Sequence, residues 1–375
     1  MQNILDYTRE GLGNWFKTQG IRPFRAGQIF KWLYIRQVNS FDDMTDLSLE
    51  LRQLLNREFE IPRLHLEKHQ VSSDTTEKFL FALNDGQYIE SVLIPEKDHF
   101  TLCVSSQVGC VQGCRFCLTA KGGFARNLSV GEIIAQVRDA RDYVEKKGFD
   151  PLRLSNIVFM GMGEPLANFK NLIKSLQIIR DSDYGLKFSA KRVTVSTSGL
   201  VPKITQLGLE SDVNLAVSLN ATTDEVRSQL MPINDKYPIA DLLEACRTFT
   251  MKPRNKITFE YILMKIKINL GAGRQILDGF INHDITMLNG IDVVHNLNDY
   301  PWPWDDNSID YILMQDVLEH LDDIVKPMNE LHRVLKLDGE VKIRVPYWNS
   351  WSAHADPTHK QKFHEIAFHF FDVNS

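Results

Sequence analysis

The 375 residues contain no apolar run as long as a membrane span, no low-complexity tract and no internal repeat. The first of these absences excludes a membrane-spanning helix. The opening Met1-Gln-Asn-Ile-Leu-Asp-Tyr-Thr-Arg-Glu lacks a basic-then-apolar signal segment, so the expected compartment is the cytoplasm, with no membrane partner. Cysteine is scarce and odd in number, at five, which argues against a disulfide scaffold. Hydrophobic residues at 43% and charged residues at 24% are ordinary for a globular chain and exclude a wholly disordered or fibrous one. The length suits two or three domains, each able to bury a core.

Charge and composition are unevenly spread. Residues 1–265 hold 34 basic and 31 acidic residues, whereas residues 266–375 hold 9 and 17. All five cysteines fall in the first part; eight of eleven histidines and four of six tryptophans fall in the second. Such a shift predicts two units of different origin with a boundary near Lys265. No Pro/Gly-rich linker marks it.

Residues 5–58 show helical apolar spacing, as in Phe30, Leu33 and Tyr34, then Leu49, Leu51 and Leu54, with breaks at Pro23 and Ser40-Phe-Asp-Asp. Lys17, Arg22, Arg25 and Lys31 surround Pro23-Phe24. A basic, aromatic-bearing module of this kind suits either RNA phosphates or a solvated face. Residues 59–100 read as a β-rich connector, with strand-like runs from Lys78 and Tyr88 on either side of an Asn84-Asp-Gly turn. From residue 101, strands at 101–107, 155–161, 192–198, 213–220 and 257–264 alternate with helices at 129–147, 168–181, 200–208 and 238–250. This alternation predicts parallel strands with crossover helices, in an open sheet or a barrel, with chemistry at the strands' C-terminal ends.

Immediately after the first of these strands stands Cys110-Val-Gln-Gly-Cys114-Arg-Phe-Cys117. Three thiolates within eight residues can close on one metal centre, and soft thiolates select zinc or an iron–sulfur cluster. A structural zinc would want a fourth ligand, and no Cys or His follows at a suitable short spacing. Three thiolates on a four-iron cluster leave one iron open for chemistry.

The C-x3-C-x2-C spacing after the first strand of a βα series resembles the radical S-adenosylmethionine (SAM) enzymes. Thr101-Leu-Cys-Val-Ser-Ser-Gln-Val-Gly-Cys, Gly161-Met-Gly-Glu-Pro-Leu, Val193-Thr-Val-Ser-Thr-Ser-Gly and Met231-Pro-Ile-Asn narrow the likeness, over residues 4–264, to the RlmN family. That family methylates carbon 2 of adenosine in 23S ribosomal RNA and transfer RNA. The resemblance implies a partial (βα) radical SAM barrel behind an N-terminal helical accessory domain, a [4Fe-4S] cluster, SAM, an electron donor for the cluster and no DNA partner. It implies Cys110, Cys114 and Cys117 as cluster ligands, and Gly163, Glu164, Ser196, Ser218, Leu219 and Asn220 at SAM. Asn220 stands where the family more often has His. Glu90 matches the acid/base glutamate and Cys103 the cysteine that resolves the RNA adduct. The family's second cysteine, the methyl carrier, lies in an Ala-Cys-Gly-Gln context absent from this sequence. Cys246, in Leu242-Leu-Glu-Ala-Cys-Arg-Thr-Phe, reads as a helix core residue. The closing helix and strands expected after Met264 are also missing, which predicts impaired methylation.

Beyond Lys265, Ile266-Lys-Ile-Asn-Leu-Gly271-Ala-Gly273-Arg leads to a second strand ending at Asp284. A strand running into G-x-G with an acidic residue closing the next strand is a nucleotide-binding arrangement. With Asp316-Val-Leu-Glu-His-Leu, Leu335-Lys-Leu-Asp-Gly-Glu and Asp356-Pro-Thr-His-Lys, it resembles a truncated, Rossmann-like class I SAM-dependent methyltransferase over residues 266–375 that stops before the sixth and seventh strands. Gly271, Gly273 and Asp284 are the implied SAM positions; Glu319 and His320 follow the fourth strand. Asn269 fits either family's SAM site. His354, His359, His364 and His369 recur in steps of five, which on one helix rotates each by about 140° and excludes a shared metal face. Fold class is therefore α/β throughout, divided as 1–58, 59–100, 101–264 and 265–375. The leading reading is an RlmN-type RNA methyltransferase. The alternatives are a small-molecule methyltransferase acting through the second unit and a non-catalytic chimeric RNA-binding remnant.

Overall fold

The computed structural model describes residues 1–262 and 265–371. The chain divides into two compact units, Met1–Ile262 and Leu263–Ser375, each with its own apolar core.

The first unit opens with helices α1 (Arg9–Thr18), α2 (Arg25–Phe30) and α3 (Leu49–Glu58). The side-chain oxygens of Thr8 and Ser48 accept from the N–H groups of Gly11 and Leu51, capping α1 and α3. Pro23 falls between α1 and α2, where its missing N–H breaks no helical ladder. Leu12, Phe16, Ile29, Phe30, Leu33 and Leu55 bury the apolar stripes of this module.

An eight-stranded sheet follows: β1 (His65–Val71), β2 (Glu77–Ala82), β3 (Tyr88–Pro95), β4 (Phe100–Cys103), β5 (Leu154–Phe159), β6 (Val193–Thr197), β7 (Asn214–Ser218) and β8 (Ile257–Glu260). Strands lie side by side in chain order, antiparallel from β1 to β4 and parallel from β4 to β8. The parallel strands are connected through α4 (Val130–Lys146), α5 (Phe169–Arg180), α6 (Val201–Glu210), α7 (Asp224–Leu230) and α8 (Ile239–Arg247). Sequential order is the order of a barrel wall. The strand expected over 257–264 is described at Ile257–Glu260; Leu263 and Met264 lie outside the described residues. Strand β1 has no sequence signal because it is exposed along its whole length and needs no apolar alternation.

The parallel strands bury one face. Ile157, Phe159, Val193, Val195, Leu215 and Val217 are at most 1% exposed in the core. Their alternates Val158, Thr194, Ser218 and Glu260 stay only partly covered. On the core side this burial runs out at β8, where Phe259 is 45% exposed.

In the second unit, β9 (Lys267–Leu270), β10 (Ile281–Asp284), β11 (Val293–Val294), β12 (Ile309–Gln315) and β13 (Leu335–Arg344) form a wholly parallel sheet ordered β11-β10-β9-β12-β13. The order reverses at β9, as in doubly wound nucleotide-binding folds. Five strands stand among the described residues. Helix α9 (Val325–Val334) buries Leu331 and Val334 beside Ile268, Ile312 and Met314. Residues 271–280 form turns, so no helix follows the glycines. His354 lies in the short helix Trp351–Ala355, His359 in a turn and His369 in the 3-10 segment Glu365–Phe371, so no single helix carries the four and helical rotation does not govern them.

Arg227 on α7 is fully buried and ties the ends of β6 and β7 together. Its guanidinium donates to the carbonyls of Ser198 (2.6 Å), Ser218 (3.2 Å) and Leu219 (3.0 Å) and to Asn234 Oδ1 (2.9 Å). Arg227→Met removes these donors and leaves buried carbonyls unpaired, at about 1–3 kcal/mol for each group left without a partner. Hydrogen-exchange mass spectrometry is expected to show lost protection over 193–198 and 214–219. Unchanged protection there would show that Arg227 does not hold the strand ends.

Candidate active site

The three clustered thiols sit on the loop beyond β4. Gln107–Gly109 pairs with Phe124–Asn127 as a two-stranded ribbon, and the cysteines lie between its arms. Gly109 takes φ +73°, and a Cβ there would stand 1.9 Å from the carbonyl oxygen of Gly123, so only glycine fits. The Cys110 N–H donates to that same carbonyl at 3.0 Å, and the Cys117 N–H to the Cys114 carbonyl at 3.1 Å. All three thiols are partly exposed and none is in a disulfide. Burial, followed by the neighbouring Cys110 and Cys117, pushes the Cys114 thiol up to about 12; burial also raises Cys110. Three soft donors on one glycine-shaped loop suit a cluster.

Gln107 joins this loop to the end of β5. Its Oε1 accepts from the Glu164 N–H at 2.9 Å and its Nε2 donates to Asn127 Oδ1 at 2.8 Å. Gly163 takes φ +97°, and a Cβ there would lie 2.4 Å from Gln107 Cβ. Glu164 is 3% exposed; burial pushes its carboxyl up, against hydrogen bonds from Ser198 and Leu166. Ser198 donates through both N–H and Oγ to Oε2 at 2.8 Å, and the Leu166 N–H donates to Oε1 at 3.0 Å.

Strand register gathers the remaining positions. Cys103 pairs with Val92 and Val158, Ser196 with Ala216, and Ser218 with Glu260. Because side chains alternate along each strand, Glu90, Cys103, Ser196, Ser218 and Glu260 all share the open face. Glu90 is the diagonal neighbour of Cys103, about 7 Å away by sheet geometry. Its carboxylate pairs with Lys78 at 3.0 Å, and its carbonyl accepts from Ser105 Oγ at 2.5 Å. Burial, with a smaller effect of Glu260, pushes the Cys103 thiol up to about 11. Leu219 is partly buried against the main core. Asn220 takes φ +60°; its Nδ2 donates to Met231 Sδ at 3.3 Å, and its buried Oδ1 has no hydrogen-bond partner among the described residues. Cys246 is buried in α8.

In the second unit, Gly271 and Gly273 take φ +63° and +54°. The Gly273 N–H donates to Asp284 Oδ2 at 2.8 Å, closing the loop between β9 and β10. Asn269 lies within β9 and donates to the Gln275 carbonyl and Asn282 Oδ1, so its amide supports the loop of this unit.

Glu260 is the main residue that sequence reasoning passed over. Its Oε2 accepts from Ser218 Oγ at 2.9 Å and Ser196 Oγ at 3.4 Å, bridging three strand ends. With the strand expected over 257–264, Glu260 read as a mid-strand residue, and only the register beside Ser218 marks it. Arg227, Gln107 and Ser198 carry no such mark, because their roles depend on long-range contacts.

The thiols yield a pH prediction. Cys103 and Cys114 have thiol pKa values raised above the ordinary range, so in the metal-free chain both are protonated at neutral pH. Alkylation follows the thiolate, so their rates are expected to rise about tenfold per pH unit through pH 8–10 without a plateau. Site-resolved mass spectrometry after iodoacetamide checks this; a plateau below pH 9 at either residue would contradict it.

Comparison with known proteins bears on these observations. Residues 2–61 match the ribosomal RNA large subunit methyltransferase N-terminal domain, residues 104–267 the radical SAM superfamily, and residues 285–343 a methyltransferase domain. The chain is 57% identical over 263 residues to the dual-specificity RNA methyltransferase RlmN of Desulfosudis oleivorans, covering 70% of each. It is 51% identical to the RlmN of Geotalea uraniireducens, over 70% of this chain and 74% of that one. A crystal structure of a radical SAM methyltransferase from Sphaerobacter thermophilus superposes with TM-score 0.63 at 31% identity, covering 92% of this chain and 95% of that one. The first unit's barrel wall and thiol loop, taken with these relatives, show that the chain belongs to the RlmN family of radical SAM methyltransferases, enzymes that use a [4Fe-4S] cluster and SAM.

Proposed function

We propose that the first unit is the SAM-cleaving core of an RNA methyltransferase directed at carbon 2 of adenosine in 23S ribosomal RNA and transfer RNA, with methyl delivery impaired. The carrying observation is the single open face on which Glu90, Cys103, Ser196, Ser218 and Glu260 meet, beside the loop of Cys110, Cys114 and Cys117. In this reading the domains run 1–58, 59–100, 101–264 and 265–375. The relatives' names support RNA as the substrate, and the exposed Phe24, with Arg25 stacked 5.0 Å from its ring, offers an aromatic and basic docking point.

Cys110, Cys114 and Cys117 would hold the cluster, which when bound supplies the electron that cleaves SAM. Gly163 lets the Gln107 side chain pack against the turn that carries Glu164, and Glu164, Ser196, Ser218, Leu219 and Asn220 would orient SAM. The unpartnered Asn220 Oδ1 is an acceptor open to a donor on the ligand. Cys103 would take the carbon 2 proton from the RNA adduct, and Glu90 would move a proton nearby. A thiol held at about 11 must first lose its proton to a base, and Glu260 and Glu90 are carboxylates of the same face. The 375 residues hold no Ala-Cys-Gly-Gln segment, and Cys246 is buried in a helix, so no thiol on this face besides Cys103 can carry the methyl group.

A second reading rests on the β11-β10-β9-β12-β13 order and the Gly273–Asp284 hydrogen bond: the second unit also binds SAM, through Gly271, Gly273 and Asp284, and alkylates a small molecule. The test is anaerobic reconstitution with iron and sulfide, then SAM, a strong reductant and RNA. The proposal expects 5′-deoxyadenosine with 2-methyladenosine absent or reduced at least tenfold against an intact relative. Full methylation would overturn the impairment. Absence of 5′-deoxyadenosine would overturn the core assignment, and cluster-independent methyl transfer would favour the second reading.

A further inference from the structure

The second unit holds a buried carboxylate that the readings above leave unused. The turn Leu318–His320 follows β12 and puts Glu319 below the surface, with its side chain 1% exposed and neither carboxylate oxygen in a hydrogen bond among the described residues. Burying a carboxylate in this way is expensive unless a cation faces it. Nearby cations are committed elsewhere: Arg344 pairs with Asp316, and Lys360 with Asp322 at 2.6 Å.

What faces Glu319 is a pair of imidazoles. The N–H groups of Lys360 and Gln361 donate to the Glu319 carbonyl at 2.7 and 3.0 Å, which fastens the 356–361 turn over the site. His359, with its side chain 9% exposed, thereby brings Nε2 to 4.0 Å from Glu319 Oε1, and its ring stands edge-on to His320 at 4.7 Å between centroids. One donor atom from each of Glu319, His320 and His359 falls within 4.8 Å of the others, the one such grouping of three among the described residues.

The outer contacts select the tautomers a metal needs. His320 Nδ1 meets Thr358 Oγ1 at 2.9 Å, and that hydroxyl donates to Asp356 Oδ1 at 2.6 Å, so Nδ1 is the protonated nitrogen. His359 Nδ1 lies 3.4 Å from the Ala353 carbonyl, which can only accept. Both Nε2 lone pairs are left for coordination, each with an oriented partner behind the ring.

We propose that Glu319 and the Nε2 atoms of His320 and His359 bind a divalent first-row transition ion. Two imidazoles and a carboxylate suit zinc, iron, cobalt or nickel rather than calcium or magnesium. Three ligands at about 2.1 Å from one ion lie roughly 3.4 Å apart, so the side chains draw in by about an ångström on binding. The site opens on a cleft of about 750 Å³ lined by Asp316, Arg344, Trp351 and Asp356. It lies beyond the C-terminal end of β12, where folds of this strand order take ligands. Remaining coordination positions would therefore meet an oxygen-bearing ligand in that cleft.

Cobalt(II) is the probe, titrated into the full chain carrying Cys110→Ser, Cys114→Ser and Cys117→Ser so that the cluster thiols take none. One equivalent is expected to bind, with visible d–d bands and no sulfur-to-cobalt charge-transfer band. Glu319→Gln and His359→Ala are expected to weaken binding at least tenfold, while His354→Ala and His364→Ala bind as the parent does. Circular dichroism and thermal melting establish that each variant is folded. Uptake unchanged in folded Glu319→Gln and His359→Ala, or no saturable uptake by the folded parent, would overturn the site.

Discussion

Parallel strands β4 to β8 present one apolar face to a helix-packed core and one polar face to the open side, and the chemistry of the first unit depends on that asymmetry. With Ile157, Val193, Val195 and Leu215 in the core, the alternation of strand side chains sends Cys103, Ser196, Ser218 and Glu260 to the other side. Arg227 supplies donors to the carbonyls beyond β6 and β7, Glu260 accepts from two of their serines, and Gln136 bonds both backbone groups of Ser105 beyond β4. Function here grows out of how a half-buried sheet satisfies its polar groups.

Much of this was legible in the sequence because it is local. Helix positions followed from apolar spacing: α4, α5 and α6 lie within two residues of the expected spans, whereas α8 ends at Arg247, three residues short, and α7 (Asp224–Leu230) was not expected. The β2–β3 hairpin followed from Asn84-Asp-Gly. The cysteine loop declared itself through spacing and through glycines that the fold needs at positive φ. What was not legible is what depends on distant partners. Glu260 becomes a site residue only when register sets it beside Ser218. Arg227 reads as an ordinary helix arginine until its carbonyl partners are seen, and β1 is a strand only because β2 offers it an edge. The histidines show the opposite failure: an argument from helical rotation was sound but applied to residues that share no helix.

The two units build their strand ends by different means. In the first, soft thiols and hydroxyls line an open wall. In the second, the strand order reverses at β9, and the glycine loop is closed by a carboxylate rather than followed by a helix. Beyond β12, Glu319 is kept buried by a turn whose backbone is clamped from the 356–361 segment. The mild net charge of −5 averages over these two chemistries, one near neutral and the other acidic.

On the proposed function, the first unit holds a three-cysteine cluster and SAM together at its open face. Electron paramagnetic resonance of the anaerobically reconstituted, reduced chain tests this most directly. The expected result is a [4Fe-4S]⁺ signal whose g values shift when SAM is added, because SAM would occupy the iron left open by Cys110, Cys114 and Cys117. A signal unaltered by SAM, or no cluster signal at all, would contradict it.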